Sequence, residues 1–235
     1  MLFRSNKIIL TAAATPNRRQ KRKKIMNQTE IINAAVYFLD EKATLISDSQ
    51  TEYPRPFYVQ KFKEALDELF CQTHWDFAQA ATKLNLADKL PSTLMNFYEY
   101  AYVRPQNVGL IRTVDKKEII EMILFSKKEI EVKDFREVDD GKGGIIILSN
   151  IEDACCLYTN KLTNPYLYPG DFCNALIYGT AVKLAPRLNK EMLTSAIQMY
   201  NYYLGVAVEN TLNKQKDMVG QKKESKYMRR RRVVY

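Results

Sequence analysis

One stretch of the sequence constrains the fold more than any other: residues 165–204, which read PYLYPGDFCNALIYGTAVKLAPRLNKEMLTSAIQMYNYYL. A loop rich in tyrosine and proline leads into an apolar segment with helical spacing, and Asp171 can cap its first turn. Pro186 predicts a kink or the end of this helix, because proline has no backbone N–H. Asn189 can cap a second helix, whose apolar residues recur every three or four positions as far as Thr211. The stretch therefore predicts a packed helical hairpin.

Two further helices are predicted nearer the start of the chain. Residues 29–39 suit a short helix that Asn27 or Thr29 could cap. Residues 57–72 follow two prolines and place apolar side chains at helical spacing. These side chains are Phe62, Ala65, Leu66, Leu69 and Phe70. They predict a face buried in the core; the alternative is an amphipathic helix that binds in the groove of a partner.

The middle of the chain is predicted to contain β-structure. Residues 117–125 are rich in Ile, Met, Leu and Phe, and residues 144–148 form a short apolar run typical of a buried strand. Residues 139–144 supply Asp and Gly for a turn between two strands. Residues 97–103 are aromatic and 154–158 suit a further strand. The order is therefore helix, helix, β-structure, helix, helix.

This order has no βαβ alternation, which favours an α+β fold over a doubly wound sheet. We expect an antiparallel core of about four helices, with an antiparallel β module inserted between helices 2 and 3 and basic disordered tails. The expected segments are a basic arm at 1–25, helical core at 26–80, a β-rich module at 81–169, helical core at 170–213 and a basic docking tail at 214–235.

Charge is concentrated at the two ends of the chain. Residues 1–25 contain eight Lys or Arg and no acid, and residues 214–235 contain nine bases and two acids. Because these ends together exceed the net charge of +9, residues 26–213 must be net acidic. Residues 1–25 are interpreted as a disordered arm, or as an overextended start preceding Met26. No apolar run approaches the roughly 20 residues that span a bilayer, so no membrane association is expected.

No residue constellation predicts catalysis, a cofactor or a bound metal, and we expect a protein that is not an enzyme. His74 is the only histidine, and its place beside a tryptophan favours capping or stacking over catalysis. The pairs Asp139/Asp140 and Glu152/Asp153 could hold a divalent ion, but Asp-Asp-Gly more often forms a hairpin turn. The four cysteines form no CxxC pair, which favours reduced thiols in a cytoplasmic setting.

The basic tails have three interpretations. They could neutralise nucleic-acid phosphates, lie along an acidic partner protein, or remain solvated. The last nine residues read YMRRRRVVY. Because this segment ends in apolar residues, it suits docking into a protein groove better than purely electrostatic binding.

Two separated segments resemble the tail tubular protein A family, the head-to-tail adaptor rings of short-tailed bacteriophages. The first contains Trp75-Asp76-Phe77-Ala78, then YEYAYVRP at 98–105 and the apolar run 108–114, similar to the family's W-x-F-A and Y-x-Y-x-x-P elements. The second runs from the strand end at 158–160 through Asn164-Pro165 and Phe172 to LAPRL at 184–188, similar to the family's L-A-P-x-L ending. The similarity covers residues 30–213, and the composition also resembles that of crAss-like gut phages.

The resemblance implies a structural subunit of the virion neck, assembled in the host cytoplasm. Its implied partners are copies of itself in a ring, commonly of twelve, the portal protein, a tail nozzle or second ring protein, and passing double-stranded DNA bound without sequence specificity. The implied portal-docking residues are Lys222, Lys223, Lys226, Tyr227, Arg229, Arg230, Arg231, Arg232 and Tyr235. The implied core or subunit contacts are Trp75, Phe77, Tyr98, Tyr100, Tyr102, Pro105, Phe172 and Pro186.

The chain departs from the family pattern at two places. The resemblance gives no role to the basic arm, and Leu39-Asp40-Glu41 stands where relatives often have a leucine-glycine helix ending. The rival prediction is a free-standing nucleic-acid-binding protein that acts through its basic tails. A hydrolase using His74 is a third possibility.

Overall fold

The computed structural model describes residues 26–87, 97–126 and 135–230; for 125–126 and 213–230 the description is of the backbone. These residues form five α-helices and two antiparallel sheets, which confirms the α+β class. The helices are α1 (Gln28–Leu39), α2 (Arg55–Gln72), α3 (Lys117–Ser126), α4 (Gly170–Leu188) and α5 (Leu193–Arg230). The strands are β1 (Gln79–Lys83), β2 (Asn85–Leu86), β3 (Tyr100–Val103), β4 (Val108–Asp115), β5 (Phe135–Asp139), β6 (Ile145–Ser149) and β7 (Cys155–Asn160).

The start of α1 is fixed by a reciprocal cap. The Asn27 side chain accepts a hydrogen bond from the backbone N–H of Glu30 at 2.8 Å, and the Glu30 carboxylate accepts one from the N–H of Asn27 at 2.9 Å. This pair satisfies two N–H groups that a helix leaves without partners. The prediction of Asn27 as a cap is confirmed.

The apolar face predicted for α2 is buried in the helical core. Phe62, Ala65, Leu69 and Phe70 are all almost inaccessible to solvent, and Leu66 packs at the margin. The interpretation of this face as part of the core is confirmed. A groove-binding helix would need the same face to be free.

The two caps predicted for the helical hairpin were wrong. Pro169 precedes α4 without a side-chain cap, and the Asp171 carboxylate instead accepts a hydrogen bond from Asn210 of α5 at 2.9 Å. The Asn189 side chain caps no helix and donates to the carbonyl of Leu39 at 3.0 Å. Pro186 lies two residues before the end of α4, where its missing N–H disturbs only the last turn. At both predicted caps, the side chain forms a hydrogen bond with a distant residue instead of with the nearby backbone N–H of its helix.

Helix α4 is central to the helical core. Near its start Phe172 contacts Phe70 at the end of α2, with 5.1 Å between ring centroids. Near its end Arg187 lies 4.7 Å from the ring of Phe57 at the start of α2. The two helices therefore run antiparallel, and α5 contacts α4 in the same antiparallel sense. Helix α1 packs along the remaining side of α4.

The β-structure consists of two sheets, with strand orders β1-β7-β4 and β2-β3-β6-β5. The buried face between them contains Tyr102, Val114, Ile147 and Cys156. Successive side chains of β7 lie on opposite faces of the sheet, so Cys155 lies on the other face from Cys156 and packs against α3. Strands β3, β6 and β7 match the strand predictions, and all four cysteines are free.

Residues 117–126 form a helix, so the strand predicted for 117–125 was wrong. The richness in Ile and Phe indicated a strand, but Ile120 and Leu124, with Ile119 and Ile123, recur at helical spacing. This face packs on β7, with Ile120 and Leu157 buried in one cluster. The apolar pattern of this segment suits either a strand or a helix, and packing against β7 favours the helix.

Helix α5 continues far beyond the hairpin, to Arg230. The last described apolar side chain of α5 that packs on the helical core is Val208, and Asn210 follows with its hydrogen bond to Asp171. The prediction of a disordered tail was therefore wrong for residues 214–230, which are helical. The basic arm and residues 231–235 lie outside the described residues. The predicted segment boundaries stay predictions.

Candidate interaction surfaces

Three residues predicted as core or subunit contacts lie in one aromatic cluster of the core. Trp75 is 2 % exposed, and its indole N–H donates to the carbonyl of Leu69 at 2.8 Å. Phe172 meets the Trp75 ring edge to face at 5.0 Å and the Phe77 ring at 4.9 Å. Such contacts join α2, α4 and the segment leading into β1. These residues belong to the core rather than to a contact surface.

The aromatic segment at 98–105 also points mainly inward. Tyr102 is buried between the sheets, and its hydroxyl donates to the carbonyl of Ile151. Tyr100 stacks on Tyr102 with 6.3 Å between centroids, and Tyr98 and Pro105 are half-buried. Pro186, in contrast, is exposed at the end of α4. Of the eight predicted contact residues, Pro186 is thus the most exposed.

The acidic pair at 139–140 forms a hairpin turn. One Asp140 carboxylate oxygen accepts hydrogen bonds from the N–H groups of Lys142 at 2.7 Å and Gly144 at 2.8 Å, which lowers the pKa of Asp140. Gly141 has a φ of 73° and Gly143 a φ of 85°, in the left-handed region that glycine adopts readily. The turn prediction is confirmed by these hydrogen bonds and by the positive φ of both glycines.

A groove of about 810 Å³ lies between α3 and strands β1 and β7. Four of its charged side chains form two ion pairs: Lys83 with Asp153 at 2.9 Å, and Lys117 with Glu121 at 3.7 Å. Cys155 lines the groove, but burial raises the pKa of its thiol, which disfavours the reactive thiolate. Within the described ranges, no group of three His, Cys, Asp or Glu side chains could hold a metal ion. The groove presents no organised reaction centre.

His74 lies in a closed recess beside Arg112, Asp76, Tyr158 and Thr159. Burial lowers its pKa from 6.5, and the Arg112 charge lowers it further. The Nδ1 atom is buried and has no hydrogen-bond partner in the described structure. The recess itself has no room for a substrate.

This recess predicts a loss of stability in acid. Unfolded His74 titrates near pH 6.5 and the folded residue below it, so the unfolded state binds more protons between the two values. The free energy of unfolding is therefore expected to fall as the pH drops below 6.5. His74→Gln is expected to reduce this slope, measured as Tm from about pH 7.5 to about pH 5. An unchanged slope in His74→Gln would contradict the assignment of this pH dependence to His74. The variant Asp76→Asn tests whether the neighbouring carboxylate contributes to the slope.

The first candidate surface is a groove of about 400 Å³ between α1, α4 and α5. We define the tyrosine groove by the residues that line it: Ala34, Tyr37, Phe38, Glu41, Asn174, Ile177, Tyr178 and Tyr203. The rings of Tyr178 and Tyr203 stack in parallel at 5.0 Å, and Phe38 meets Tyr178 edge to face at 5.0 Å. Burial, followed by the neighbouring Tyr203, raises the pKa of Tyr178. Tyr37 remains 54 % exposed.

The tyrosine groove was not predicted from the sequence. Helical spacing after Asn189 puts Tyr203 in the apolar stripe of the second helix of the hairpin, and no pattern in the sequence singles out Tyr37 or Tyr178. The spacing of Tyr202 and Tyr203 on α5 was the only available signal, because two adjacent tyrosines on a helix cannot both point into one core. Tyr202 is indeed 64 % exposed.

The second candidate surface is the C-terminal part of α5. We define the basic extension as residues 213–230, about 27 Å of helix at 1.5 Å per residue. Helical spacing places Lys222, Lys226 and Arg229 on one side, at i, i+4 and i+7. Asp217 and Glu224 share the opposite side. By position along the helix, these three bases therefore recur on the side away from the two acids.

Six of the nine predicted docking residues lie on the basic extension: Lys222, Lys223, Lys226, Tyr227, Arg229 and Arg230. Arg231, Arg232 and Tyr235 lie outside the described residues. The backbone thus brings the six together on one helix.

Comparisons with known proteins give no assignment: the sequence matches no protein family and no curated protein. Among the described helices, none combines the length and apolar character needed to cross a membrane.

Proposed function

We propose that this protein is a structural subunit of a ring that joins the portal to the tail of a short-tailed phage. The observation that carries the proposal is the basic extension, a helix that continues about 27 Å beyond the hairpin from a net acidic body. It is not proposed to be an enzyme. The motif resemblance at 75–78, 98–105 and 184–188 supplies the particular architecture: an antiparallel helical core with an inserted β module.

The basic extension has the properties of a docking element. An isolated helix of this length is marginal in water, and its like charges at i, i+4 spacing destabilise it further. A partner with acidic groups would remove this repulsion and stabilise the helix. The extension carries Tyr227 and Met228 among its bases, which suits a protein surface better than a phosphate backbone.

The proposed partners follow from this arrangement. The portal protein binds the basic extension, and a ring of about twelve copies multiplies a weak contact through avidity. A tail nozzle or second ring protein binds the opposite side of the ring. The acidic body lets double-stranded DNA pass without being gripped, because few phosphates are neutralised. The protein would then reside in the virion neck, after assembly in the host cytoplasm.

Replacing Arg229–Arg232 by glutamine is expected to weaken portal attachment about tenfold or more, since several charge-assisted contacts are lost together. The apolar side chains of α5 described as packing on the helical core end at Val208, some twenty residues before Arg229, so the monomer should keep its Tm. Mass photometry of the full-length protein, alone and with the portal of the same phage, measures both ring and complex. The matched control replaces Lys21–Lys24 of the basic arm by glutamine. Equal attachment of both variants would contradict the docking role.

The second candidate function is a free-standing nucleic-acid-binding protein. The observation that favours it is the recurrence of Lys222, Lys226 and Arg229 at i, i+4 and i+7 of α5, a row of bases that could follow a groove lined by phosphates. This role predicts a monomer that binds DNA with an affinity falling steeply and linearly with salt on logarithmic axes. The adaptor role predicts a ring and weak DNA binding. Mass photometry and a salt titration on one preparation separate the two.

A further inference from the structure

We propose that the tyrosine groove is the docking site for the arginines of the basic arm, residues 18–24, of the same polypeptide chain. The arm reads RRQKRKK at these positions and leads directly into α1. This inference is independent of the adaptor role. It gives a binding partner to a surface and a segment that the adaptor role leaves unused.

The groove has the chemistry that recognises a guanidinium group. Aromatic faces attract a cation within about 6 Å of the ring centroid, and a carboxylate at the rim can accept paired hydrogen bonds. Tyr37 and Tyr203 supply the rings, and Glu41 supplies the carboxylate. The Asn174 side chain adds an amide. Arginine suits this combination better than lysine, because its planar group can stack and bind bidentately at once.

The same chain already uses this recognition elsewhere. Arg187 lies 5.2 Å from the ring of Tyr53 and 4.7 Å from the ring of Phe57. An arginine between two aromatic rings is thus a contact that this protein makes. The tyrosine groove offers more rings and a carboxylate, but no arginine of the described structure fills it.

The charges of arm and body are complementary. The arm contains eight basic residues and no acid, while the residues from 26 to 213 are net acidic. Attraction of opposite charges raises the local concentration of the arm at the body. The aromatic groove then selects arginine among the arm's cations.

The arm can reach the groove. Met26 packs against the core immediately before α1, and Tyr37 lies about 15 Å further along that helix at 1.5 Å per residue. Arg18 and Arg19 precede Met26 by seven or eight residues, which span at most about 26 Å when extended. An arm that folds back along α1 therefore has enough length.

The arginines at the other end of the chain cannot reach it. Tyr203 and Arg230 belong to one helix and are separated by 27 residues, or about 40 Å. Arg231 and Arg232 follow Arg230 by one and two residues, at most about 7 Å of extended chain, which is too short to return. Within one chain, the basic arm is the arginine-rich segment that fits.

Limited trypsin digestion of the full-length protein tests the proposal, with cleavage at 18–24 followed by mass spectrometry. A docked arm should be cut at least about fivefold more slowly than a free peptide of residues 1–25. Tyr37→Ala and Glu41→Gln should each restore most of the lost cleavage rate. Matched controls outside the groove are Tyr166→Ala and Glu191→Gln, both at exposed positions, which should leave the rate unchanged.

Three results would overturn the proposal. The arm could be cut as fast as the free peptide, the groove variants could behave like their controls, or protection could disappear on dilution. Dilution sensitivity would mean that the arm binds a second copy instead. Equal Tm values for all variants establish that cleavage reports on the arm rather than on unfolding. Ring formation measured in parallel reports on the adaptor role alone.

Discussion

Trp75→Ala is expected to lower the free energy of unfolding by about 3–5 kcal/mol, the usual cost of truncating a buried tryptophan. The indole is 2 % exposed and lies edge to face against Phe172 at 5.0 Å. Its loss opens a cavity where α2, α4 and the start of β1 meet. It also leaves the buried carbonyl of Leu69 without its 2.8 Å donor. Urea denaturation measures the change. It is followed by circular dichroism, because the substitution removes the only tryptophan and with it the fluorescence signal.

Trp75→Phe separates the two contributions. Phenylalanine keeps most of the ring volume but cannot donate to Leu69, so this variant should lose less stability than alanine does. A Trp75→Ala protein within about 1 kcal/mol of wild type would show that the aromatic cluster does not hold the helices to the sheet.

Gly109→Ala is expected to destabilise the fold by about 1–3 kcal/mol, the typical cost of overpacking. A Cβ at this position would lie 2.7 Å from the carbonyl oxygen of Phe70 and 3.2 Å from its carbonyl carbon. Both are backbone atoms of α2, so no side chain can move aside. Strand β4 would have to shift away from α2, weakening the junction between the sheet and the helical core.

The matched control is Gly205→Ala, in α5. A Cβ there meets no atom within 4 Å, so alanine should raise stability by up to about 1 kcal/mol through its better helix propensity. Opposite signs for the two substitutions, measured by urea denaturation, would establish the close approach at Gly109. If neither substitution lowered stability, the backbones of β4 and α2 would have to lie further apart at Gly109 than a 2.7 Å contact of its Cβ implies.

Much of the fold could be predicted because its signals are local. The helical spacing of Phe62, Leu69 and Phe70 predicted the buried face of α2, and Asn27, one of the two predicted candidates, caps α1. The Asp-Asp-Gly turn followed from residues that accept local hydrogen bonds and tolerate positive φ. In each case, residues a few positions apart determine the outcome.

The failures have a common physical cause. Asp171 and Asn189 had good local caps available, yet they bind Asn210 and Leu39, residues 39 and 150 positions away. Residues 117–126 could suit a strand or a helix, and packing against β7 decided for the helix. Local preferences of about 1 kcal/mol are easily outweighed by tertiary contacts.

The sequence by itself determined the α+β class, the helical hairpin and the separation of charge between acidic body and basic ends. These depend on composition and on spacing along one chain. Only the tertiary structure decided that Tyr37, Tyr178 and Tyr203, on three different helices, line one groove. It also decided that α5 continues as a helix beyond the core, because an apolar stripe shows where packing ends but not whether the helix ends with it.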